Sequence, residues 1–348
     1  MNSAPARVAF LGAGTVGAAA IRLLQRHAQL RVTSALVRDL HAPRDLGAQP
    51  PRLTRDPDEA LAGADVVVEV MGGVDRPTAL MERAAATGAR LVSANKAALA
   101  ERWGSWQPWI AAGRVGFEAA VMAGTPVVSA LAGPLRGSRP LALHGLLNGT
   151  CAFLIERMEA GEGFGVALTE AQRRGYAEAD PALDVDGFDA AHKLTVLARL
   201  CAVPDLAWEH VRVNVRGVRG LTPALLAELA RRDRRARLVA SLWSDGTAWR
   251  LAVRPVALPV DHPLVTVGAG RNALLYRGDA VGEVLIAGPG AGADATASAV
   301  VGDVLEAVAA RPGPTLLARP EPAPSPAGED TFEELSAEEL SAAEITSR

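Results

Sequence analysis

The sequence predicts an α/β protein in which a doubly wound parallel sheet is followed by a second α/β domain. Short apolar runs such as Val66-Val67-Val68 stand between alanine-rich amphipathic stretches, as expected where buried strands alternate with helices. A glycine-rich turn from Gly12 to Gly17 separates the first strand from the first helix. The chain has 348 residues, of which 49% are hydrophobic, enough for two domains with a core each.

The first part of the chain predicts alternating strands and helices. Residues 7–11 have the pattern of a buried strand, 15–27 that of a helix and 31–37 that of a second strand. Residues 65–70 form an apolar run typical of a central parallel strand. Residues 91–93 and 115–117 favour two further short strands. These elements predict a doubly wound domain over residues 1–135.

The turn after the first strand matches the pattern G-x-G-x-x-G through Gly12, Gly14 and Gly17. In that pattern the first glycine permits a tight turn, the second lets the backbone approach a pyrophosphate, and the third lets the helix pack closely on the strand. The helix N-terminus, which begins with Thr15 and Val16, attracts phosphate groups. The turn therefore predicts a Rossmann domain that binds NAD or NADP. The alternative is a plain strand-to-helix turn.

The end of the second strand bears on the choice between the two dinucleotides. A carboxylate there binds the ribose hydroxyls of NAD, whereas an arginine accommodates the extra phosphate of NADP. The chain has Arg38 followed by Asp39, with Arg44 close by. Arg38 favours NADP, and Asp39 keeps NAD possible. A solvated loop arginine is the alternative interpretation of Arg38.

The second part of the chain predicts another α/β domain, over residues 136–294. Strands are expected at 141–147, 211–215, 236–243, 249–256 and 283–287, and helices at 151–160, 169–174 and 188–201. A last helix within 295–312 is expected to pack back on the first domain. Residues 313–348 form an acidic tail, with eight acidic side chains and two arginines from Arg319 onward. Its low hydrophobicity and excess charge predict disorder.

Composition excludes several classes of protein. The sequence starts without the pattern of a secretory signal, and no apolar run reaches the length of a membrane span, so a cytoplasmic protein is expected. Cys151 and Cys201 are too few for a disulfide framework or a zinc site. The net charge is −3, and the part before the acidic tail is only slightly basic. This charge does not indicate a protein that binds nucleic acid.

Residues 175–194 hold the most informative pattern in the chain. Five carboxylates precede Lys193, and Asp189 lies one helical turn before it, on the same face. Lys193 and Lys96 are the only lysines among the 36 basic residues. A surface ion pair would tolerate arginine, whereas proton transfer would not, because arginine stays protonated. The pair therefore predicts acid–base chemistry, with a solvated ion pair as the alternative.

This segment resembles the signature of the homoserine dehydrogenase family, G-Y-A-E-x-D-P followed by D-x-x-G-x-D-x-x-x-K. The chain matches it at every position, from Gly175 to Lys193. Four other segments resemble the same family, in order, within residues 7–310. They are S-A-N-K-A at 93–97, F-E-A-A-V-M-A-G-T-P at 117–126, G-L-L-N-G-T at 145–150, and G-P-G-A-G at 288–292 with T-A at 296–297.

The resemblance implies the interconversion of L-homoserine and L-aspartate 4-semialdehyde with NAD or NADP, a step in threonine and methionine biosynthesis. It implies that Lys193 gives and takes the proton of the substrate oxygen, with Asp189 holding that lysine. Lys96 is expected to reach cofactor and substrate and to stabilise developing oxyanion charge. Substrate binding is expected from Glu178, at the α-ammonium group, and from Asp184, Gly149 and Thr150. Asp184 as a structural residue and Thr150 as a helix N-cap remain alternatives.

Two further sites follow from the resemblance. Ala94, Asn95, Lys96 and Gly292 are expected at the cofactor, beside the first turn. A monovalent cation, sodium, is expected at the carboxylate of Glu118 and the carbonyls of Val121, Ala123 and Thr125. A hydrogen-bonded structural glutamate is the alternative for Glu118, because a buried acid needs partners.

The chain departs from the family in places. Cys151-Ala152 replaces Thr-Asn after the G-T pair, which leaves a shifted substrate open, and Ala293-Asp294-Ala295 replaces another common stretch. A rival prediction is an acylating semialdehyde dehydrogenase with Cys151 as nucleophile, although no local motif supplies its histidine base. A second rival is a non-catalytic cofactor-binding protein. The resemblance is to the short form of the family, without a C-terminal ACT domain, and implies a homodimer formed through the sheet of the second domain.

Overall fold

The computed structural model describes residues 4–268, 270–316, 322 and 333–334. The chain divides into two compact units. The first consists of Met1–Pro134 with Ala291–Leu317, and the second of Leu135–Gly290 with Ala318–Arg348. Each unit has its own six-stranded sheet.

The sheet of the first unit is parallel throughout. Its strands are β1 (Ala6–Leu11), β2 (Leu30–Leu36), β3 (Arg52–Thr54), β4 (Val66–Glu69), β5 (Arg90–Ser93) and β6 (Val115–Gly116). They lie in the order β3-β2-β1-β4-β5-β6, with Phe10 of β1 paired to Ala35 on one side and Val68 on the other. This order is that of a doubly wound dinucleotide-binding sheet, so the predicted fold class is confirmed.

Six of the helices described in the first unit lie between residues 15 and 132. They are α1 (Thr15–Leu24), α2 (Pro57–Leu61), α3 (Asp75–Ala86), α4 (Lys96–Glu101), α5 (Trp103–Ala111) and α6 (Val127–Ala132), with a 3₁₀ turn at Glu118–Ala120. The carboxyl ends of β1, β4 and β5 lead directly into the turns at Gly12, Val70 and Ala94. Because the strands are parallel, these turns lie at one edge of the sheet, where ligands bind in such folds.

The sheet of the second unit is antiparallel, in the order β11-β10-β7-β8-β9-β12. Its strands are β7 (Pro140–Leu146), β8 (Arg234–Ser244), β9 (Trp249–Pro259), β10 (Arg271–Gly278), β11 (Gly282–Pro289) and β12 (Glu333–Glu334). The helices are α7 (Gly149–Glu159), α8 (Phe164–Arg173), α9 (Ala182–Val185), α10 (Phe188–Cys201), α11 (Trp208–Arg212), α12 (Pro223–Arg231) and α13 (Pro263–Thr266). A 3₁₀ turn at Pro134–Gly137 precedes β7.

One predicted strand of this unit is wrong. Residues 211–215 alternate apolar and polar side chains, but Trp208–Arg212 form helix α11 and only Val215 makes a bridge, to Val253. The alternation is misleading because its apolar residues do not share one buried face: Val211 is buried on α11, whereas Val213, which follows the helix, is 74% exposed.

The last helix, α14 (Ala293–Val308), belongs to the first unit. Ala297, Val300, Val301 and Val304 join the core that contains Ala18, Ala19, Ala20 and Ile21 of α1. A stripe of small alanines on α1 thus permits close packing of a β-branched stripe from α14.

Most of the acidic tail lies outside the described residues. Within it, Glu333–Glu334 pair with Val256 and Ala257 of the edge strand β9. No helix in the described part of the chain is long and apolar enough to cross a membrane.

Candidate active site

The three glycines of the turn in the first unit have different environments. Gly12 has φ +105°, a backbone conformation that residues with a side chain rarely adopt. A Cβ there would also lie only 2.9 Å from the Val70 carbonyl oxygen, which is too close. A Cβ on Gly17 would overlap the Gly12 carbonyl, which explains how closely α1 approaches the turn. Gly14 is exposed, with open space around its Cβ position.

The N-terminus of α1 fits an anionic group. Gly14 is the N-cap and offers no side chain to the free amides, and the first turn of α1 contains no acidic residue. Thr15 is exposed and Val16 is half-buried. Backbone N–H groups and the helix dipole therefore remain for a phosphate, which is the chemistry that a dinucleotide pyrophosphate requires.

Basic groups lie beside this turn. Arg38 and Asp39 follow β2 and are both exposed. The Arg44 guanidinium donates through Nε to the carbonyl of Ala13, inside the turn, at 3.1 Å. Arg44 is thus fixed against the glycine turn, whereas the prediction from the sequence gave more weight to Arg38.

A buried glutamate organises the loop after β5. Glu69 ends β4 and accepts hydrogen bonds from Ser93 Oγ at 2.8 Å and from the Met71 amide at 2.8 Å. Burial raises the pKa of Glu69, and these hydrogen bonds oppose the rise. Asn95 donates to Glu69 at 3.4 Å and caps α4 by accepting from Ala98 N. Ala94, Asn95 and Lys96 are therefore held at the carboxyl end of β5.

Sequence reasoning missed Glu69. Its signal was present, because Glu69 is an acid that directly follows the apolar residues Val66-Val67-Val68 of a central strand. A carboxyl group in such a run needs buried partners, and Glu69 finds them in the Met71 amide and in Ser93 and Asn95 at the end of the next strand.

The proposed cation ligands lie in one strained turn of the first unit. Met122 and Ala123 have φ values of +59° and +51°, which is unusual for residues with a side chain. The Glu118 carboxylate accepts from the amides of Val128 at 2.8 Å and Ser129 at 2.7 Å, at the start of α6. These bonds are those of a structural glutamate that caps a helix. Among the described residues, no cluster of three or more histidine, cysteine or acidic side chains forms a metal site.

In the second unit, Lys193 is buried in α10 and held from two sides. Its Nζ donates to Asp189 Oδ2 at 2.8 Å, one turn earlier, and to the carbonyl oxygen of Leu147 at 2.6 Å. An ammonium group has three hydrogens, and among the described residues the third has no hydrogen-bond partner. The geometry leaves one donor for a bound molecule.

Asn148 joins three parts of this site. Its Nδ2 donates to Asp184 at 2.7 Å and to Asp189 at 3.0 Å, and its Oδ1 accepts from the Cys151 amide at 2.7 Å. The last bond makes Asn148 the N-cap of α7, so the alternative that Thr150 is the cap is wrong. Asn148 is extended, as a cap must be, whereas Thr150 is already within the helix.

Asp184 and Thr150 contact each other at the same place. The Thr150 hydroxyl lies 2.7 Å from the Tyr176 carbonyl oxygen and 3.2 Å from Asp184 Oδ2. Burial and the neighbouring Asp189 raise the pKa of Asp184, while the bonds from Asn148 and Thr150 oppose the rise. A cationic ligand group would offset this cost. Glu178 lies exposed in the loop after α8, and Gly149 begins α7.

Cys151 does not have the environment of a nucleophile. Its thiol is fully buried and donates to the Asp184 carbonyl oxygen at 3.1 Å. Burial, together with the nearby carboxylates of Asp184 and Asp189, raises the pKa of Cys151 well above that of an ordinary thiol. A thiol that stays protonated cannot attack an aldehyde as thiolate.

Comparison with known proteins agrees with this geometry. Residues 126–305 match the family model described as homoserine dehydrogenase, and residues 12–106 match the one described as homoserine dehydrogenase, NAD binding domain. A homoserine dehydrogenase of Synechocystis sp. is 38% identical over 320 residues, which are 87% of this chain and 73% of the relative. The chain belongs to the homoserine dehydrogenase family.

Solved structures of homoserine dehydrogenases are similar to the chain as well. The enzyme of Thiobacillus denitrificans has 35% identity and a TM-score of 0.81, over 87% of this chain and 73% of that one. A hyperthermophilic archaeal homoserine dehydrogenase in complex with NADPH has 25% identity and a TM-score of 0.75, over 89% of this chain and 99% of that one. The protein is therefore an oxidoreductase with a nicotinamide cofactor. Neither rival prediction, the acylating enzyme or the non-catalytic protein, agrees with this family.

Proposed function

We propose that this homoserine dehydrogenase interconverts L-homoserine and L-aspartate 4-semialdehyde, with Lys193 as the proton donor and acceptor. The observation that carries the proposal is the buried Lys193 ammonium, which is held by Asp189 and Leu147 and keeps one hydrogen for a ligand. Asp189 and the Leu147 carbonyl fix where that hydrogen can go. A fixed donor costs less reorganisation in the transition state than a mobile one.

In the direction of reduction, a nicotinamide cofactor held at the turn from Gly12 to Gly17 would supply the hydride for the aldehyde carbon. The carbonyl π-electrons then move to the oxygen, and the resulting alkoxide takes a proton from Lys193. The product is the hydroxyl group of homoserine, and Lys193 regains its proton from solvent. In the reverse direction Lys193, once it has lost a proton, would accept the hydroxyl proton, and the hydride would pass from the carbon to the oxidised cofactor.

The amino-acid end of the substrate needs carboxylate partners for its ammonium group. We assign that role to Glu178, with Asp184 beside it and Gly149 and Thr150 lining the pocket. Support comes from Asp184, because a cationic ligand would favour the charged form that burial disfavours. Lys96, at the start of α4, is proposed as the fixed cation near the developing alkoxide.

For the cofactor we propose that NADP is preferred over NAD. Support comes from Arg38, which follows β2 and is exposed, and from Arg44, whose guanidinium donates to the carbonyl of Ala13 within the turn. Either cation could pair with the extra phosphate of NADP. The remaining cofactor contacts are assigned to Gly12, Gly14, Thr15, Val16, Gly17, Ala94, Asn95, Lys96 and Gly292. Comparing kcat/KM for NADPH and NADH in the parent and in Arg38→Ala tests this. A strong NADH preference that survives the substitution contradicts the role of Arg38.

The proposed sodium ion would bind Glu118 and the carbonyls of Val121, Ala123 and Thr125. These are oxygen ligands, which suit a hard cation, although both carboxylate oxygens already accept amide hydrogen bonds. If the ion binds, the melting temperature rises in NaCl relative to choline chloride at equal ionic strength. Equal melting temperatures would leave Glu118 with its structural role alone.

The central experiment measures NADPH oxidation with L-aspartate 4-semialdehyde. We expect turnover by the parent and a fall in kcat of about 10²-fold or more in Lys193→Ala, because general acid catalysis contributes on that order. Lys193→Arg is the matched variant: it keeps the positive charge but cannot release a proton. No turnover by the parent, or parent-like turnover by Lys193→Ala, would overturn the proposal. Full activity of Cys151→Ser would separately exclude thiol chemistry.

A further inference from the structure

Asn272 is a buried polar side chain on β10 that belongs to none of the sequence motifs. It is 1% exposed, and its Nδ2 donates to the carbonyl oxygen of Leu147 at 3.2 Å. The same oxygen accepts the Lys193 ammonium at 2.6 Å. A carbonyl oxygen has two lone pairs, so these two donors fill the hydrogen-bonding capacity of the Leu147 carbonyl.

The amide of Asn272 is fixed in orientation and in place. If its two ends were exchanged, Oδ1 would face the Leu147 oxygen and two acceptors would repel each other. A Cβ on Gly290 would overlap the Asn272 amide, so the backbone at Gly290 packs directly against it. The side chain therefore holds the carbonyl from a rigid position on the sheet.

This arrangement is poor for stability alone. The Oδ1 atom of Asn272 is buried, and the described residues offer it no hydrogen-bond partner. An unsatisfied buried acceptor costs free energy, whereas a leucine of nearly the same shape would avoid that cost. The Leu147 carbonyl would still have Lys193 as a partner. Residues that lower stability in this way are expected where function requires them.

We propose that Asn272 is a positioning residue that acts on Lys193 through the Leu147 carbonyl. Lys193 is anchored at Asp189 and Leu147, and each anchor has its own amide, Asn148 for the carboxylate and Asn272 for the carbonyl. With both anchors fixed, the direction of the third ammonium hydrogen is fixed. This inference rests on the proposed role of Lys193 in proton transfer.

The test is the near-isosteric variant Asn272→Leu. We expect kcat to fall about tenfold to a hundredfold, since a small misplacement of a catalytic group has effects of that size. The KM for NADPH should change less than about twofold, and the melting temperature should stay equal or rise. Asn272→Ala serves the same purpose if the leucine variant does not fold.

Two controls separate positioning from a structural role. Ser241→Ala removes another buried hydrogen bond of the same sheet, that between Ser241 Oγ and His144 Nδ1 at 3.0 Å. It should lower the melting temperature and leave kcat unchanged, which is the opposite signature. In a Lys193→Ala background, Asn272→Leu should alter the residual rate less than about twofold, because residues that act through one another are not additive.

The outcomes distinguish failure of the positioning role of Asn272 from failure of the proton-transfer role of Lys193. Parent-like kcat in Asn272→Leu, or an equal fold-loss with and without Lys193, overturns the role of Asn272. If Lys193→Ala itself keeps the parent rate, the proposed role of Lys193 fails, and the positioning role fails with it. A low kcat in Lys193→Ala combined with an unimpaired Asn272→Leu rejects Asn272 alone.

Discussion

Asp303 is an acidic side chain in the packed part of α14. Its Oδ2 accepts a hydrogen bond from the Glu118 amide at 2.9 Å, and the Glu118 carboxylate lies nearby. Burial raises the pKa of Asp303 from 3.8 to about 8, and the charge of Glu118 contributes to the rise. The folded protein therefore keeps a proton at neutral pH that the unfolded chain releases.

The stability of the protein should depend on this proton. The folded state binds it more tightly than the unfolded state, so the stabilisation is complete below about pH 4 and is lost as the pH rises toward 8. Asp303→Asn removes the titration but keeps an oxygen for the Glu118 amide. The free energy of unfolding of this variant, relative to that of the parent, should therefore increase by at least about 1 kcal/mol from pH 5 to pH 9. Urea denaturation at each pH measures this difference.

A matched control lies on the same helix. Asp294 is exposed in the first turn of α14, so Asp294→Asn makes the same chemical change on the same helix outside the packed core. If the difference between Asp303→Asn and the parent is constant over this pH range, the Asp303 carboxyl is not protonated in the folded state.

Residue types predicted the acid–base pair but not what holds it. The spacing of Asp189 and Lys193 placed them on one helix face, and the scarcity of lysine singled out Lys193. The second anchor is the backbone carbonyl of Leu147, and a carbonyl has no sequence signal because every residue has one. Asn272 is 125 positions away from Leu147, so only the sheet brings them together.

At the level of elements, some segments were predicted and others of every length were missed. The helix expected at 188–201 is α10, and the short strands expected at 91–93 and 115–117 are β5 and β6. The three-residue β3 and the twelve-residue α3 were not predicted. Strand β10 was also missed, although it carries an apolar run, because two arginines flank that run and resemble a loop. Local patterns are weak where tertiary pairing decides the structure.

The start of α10 depends on one glycine. Gly187 is the N-cap, with φ +88°, and a Cβ there would lie 3.1 Å from Val215 Cγ1. Gly187→Ala forces an L-residue into the left-handed region, at about 1–2 kcal/mol, and adds a tight contact. We expect the free energy of unfolding to fall by about 1–3 kcal/mol, measured by urea denaturation. Because α10 carries Asp189 and Lys193, kcat should fall too.

Gly165→Ala is the control for Gly187→Ala. Gly165 lies within α8, where a Cβ would meet nothing within 4 Å, so Gly165→Ala should raise stability or leave it unchanged. A Gly187→Ala variant as stable as the parent would mean that α10 can begin without the left-handed residue.

For the whole molecule, we propose a homodimer formed through the sheet of the second unit. Strand β11 is at the edge of that sheet, and Val284, Leu285 and Ile286 are all partly exposed on it. Val281, just before the strand, is 46% exposed. An edge strand with apolar side chains on both faces favours association unless something covers it, and a second copy of the chain would do so.

Leu285→Lys tests this assembly. Leu285 is 42% exposed in the single chain, so a lysine there should be tolerated by the fold but should repel an identical charge in a dimer. We expect the parent to show the mass of two 36.1 kDa chains by light scattering, and the variant to shift toward one chain at micromolar concentration. Val166→Lys is the control, because Val166 is 62% exposed on helix α8 rather than on this edge strand, and its replacement should leave the mass unchanged. A parent that stays monomeric at all concentrations, or a Leu285→Lys variant that stays dimeric, would place the interface elsewhere or remove it.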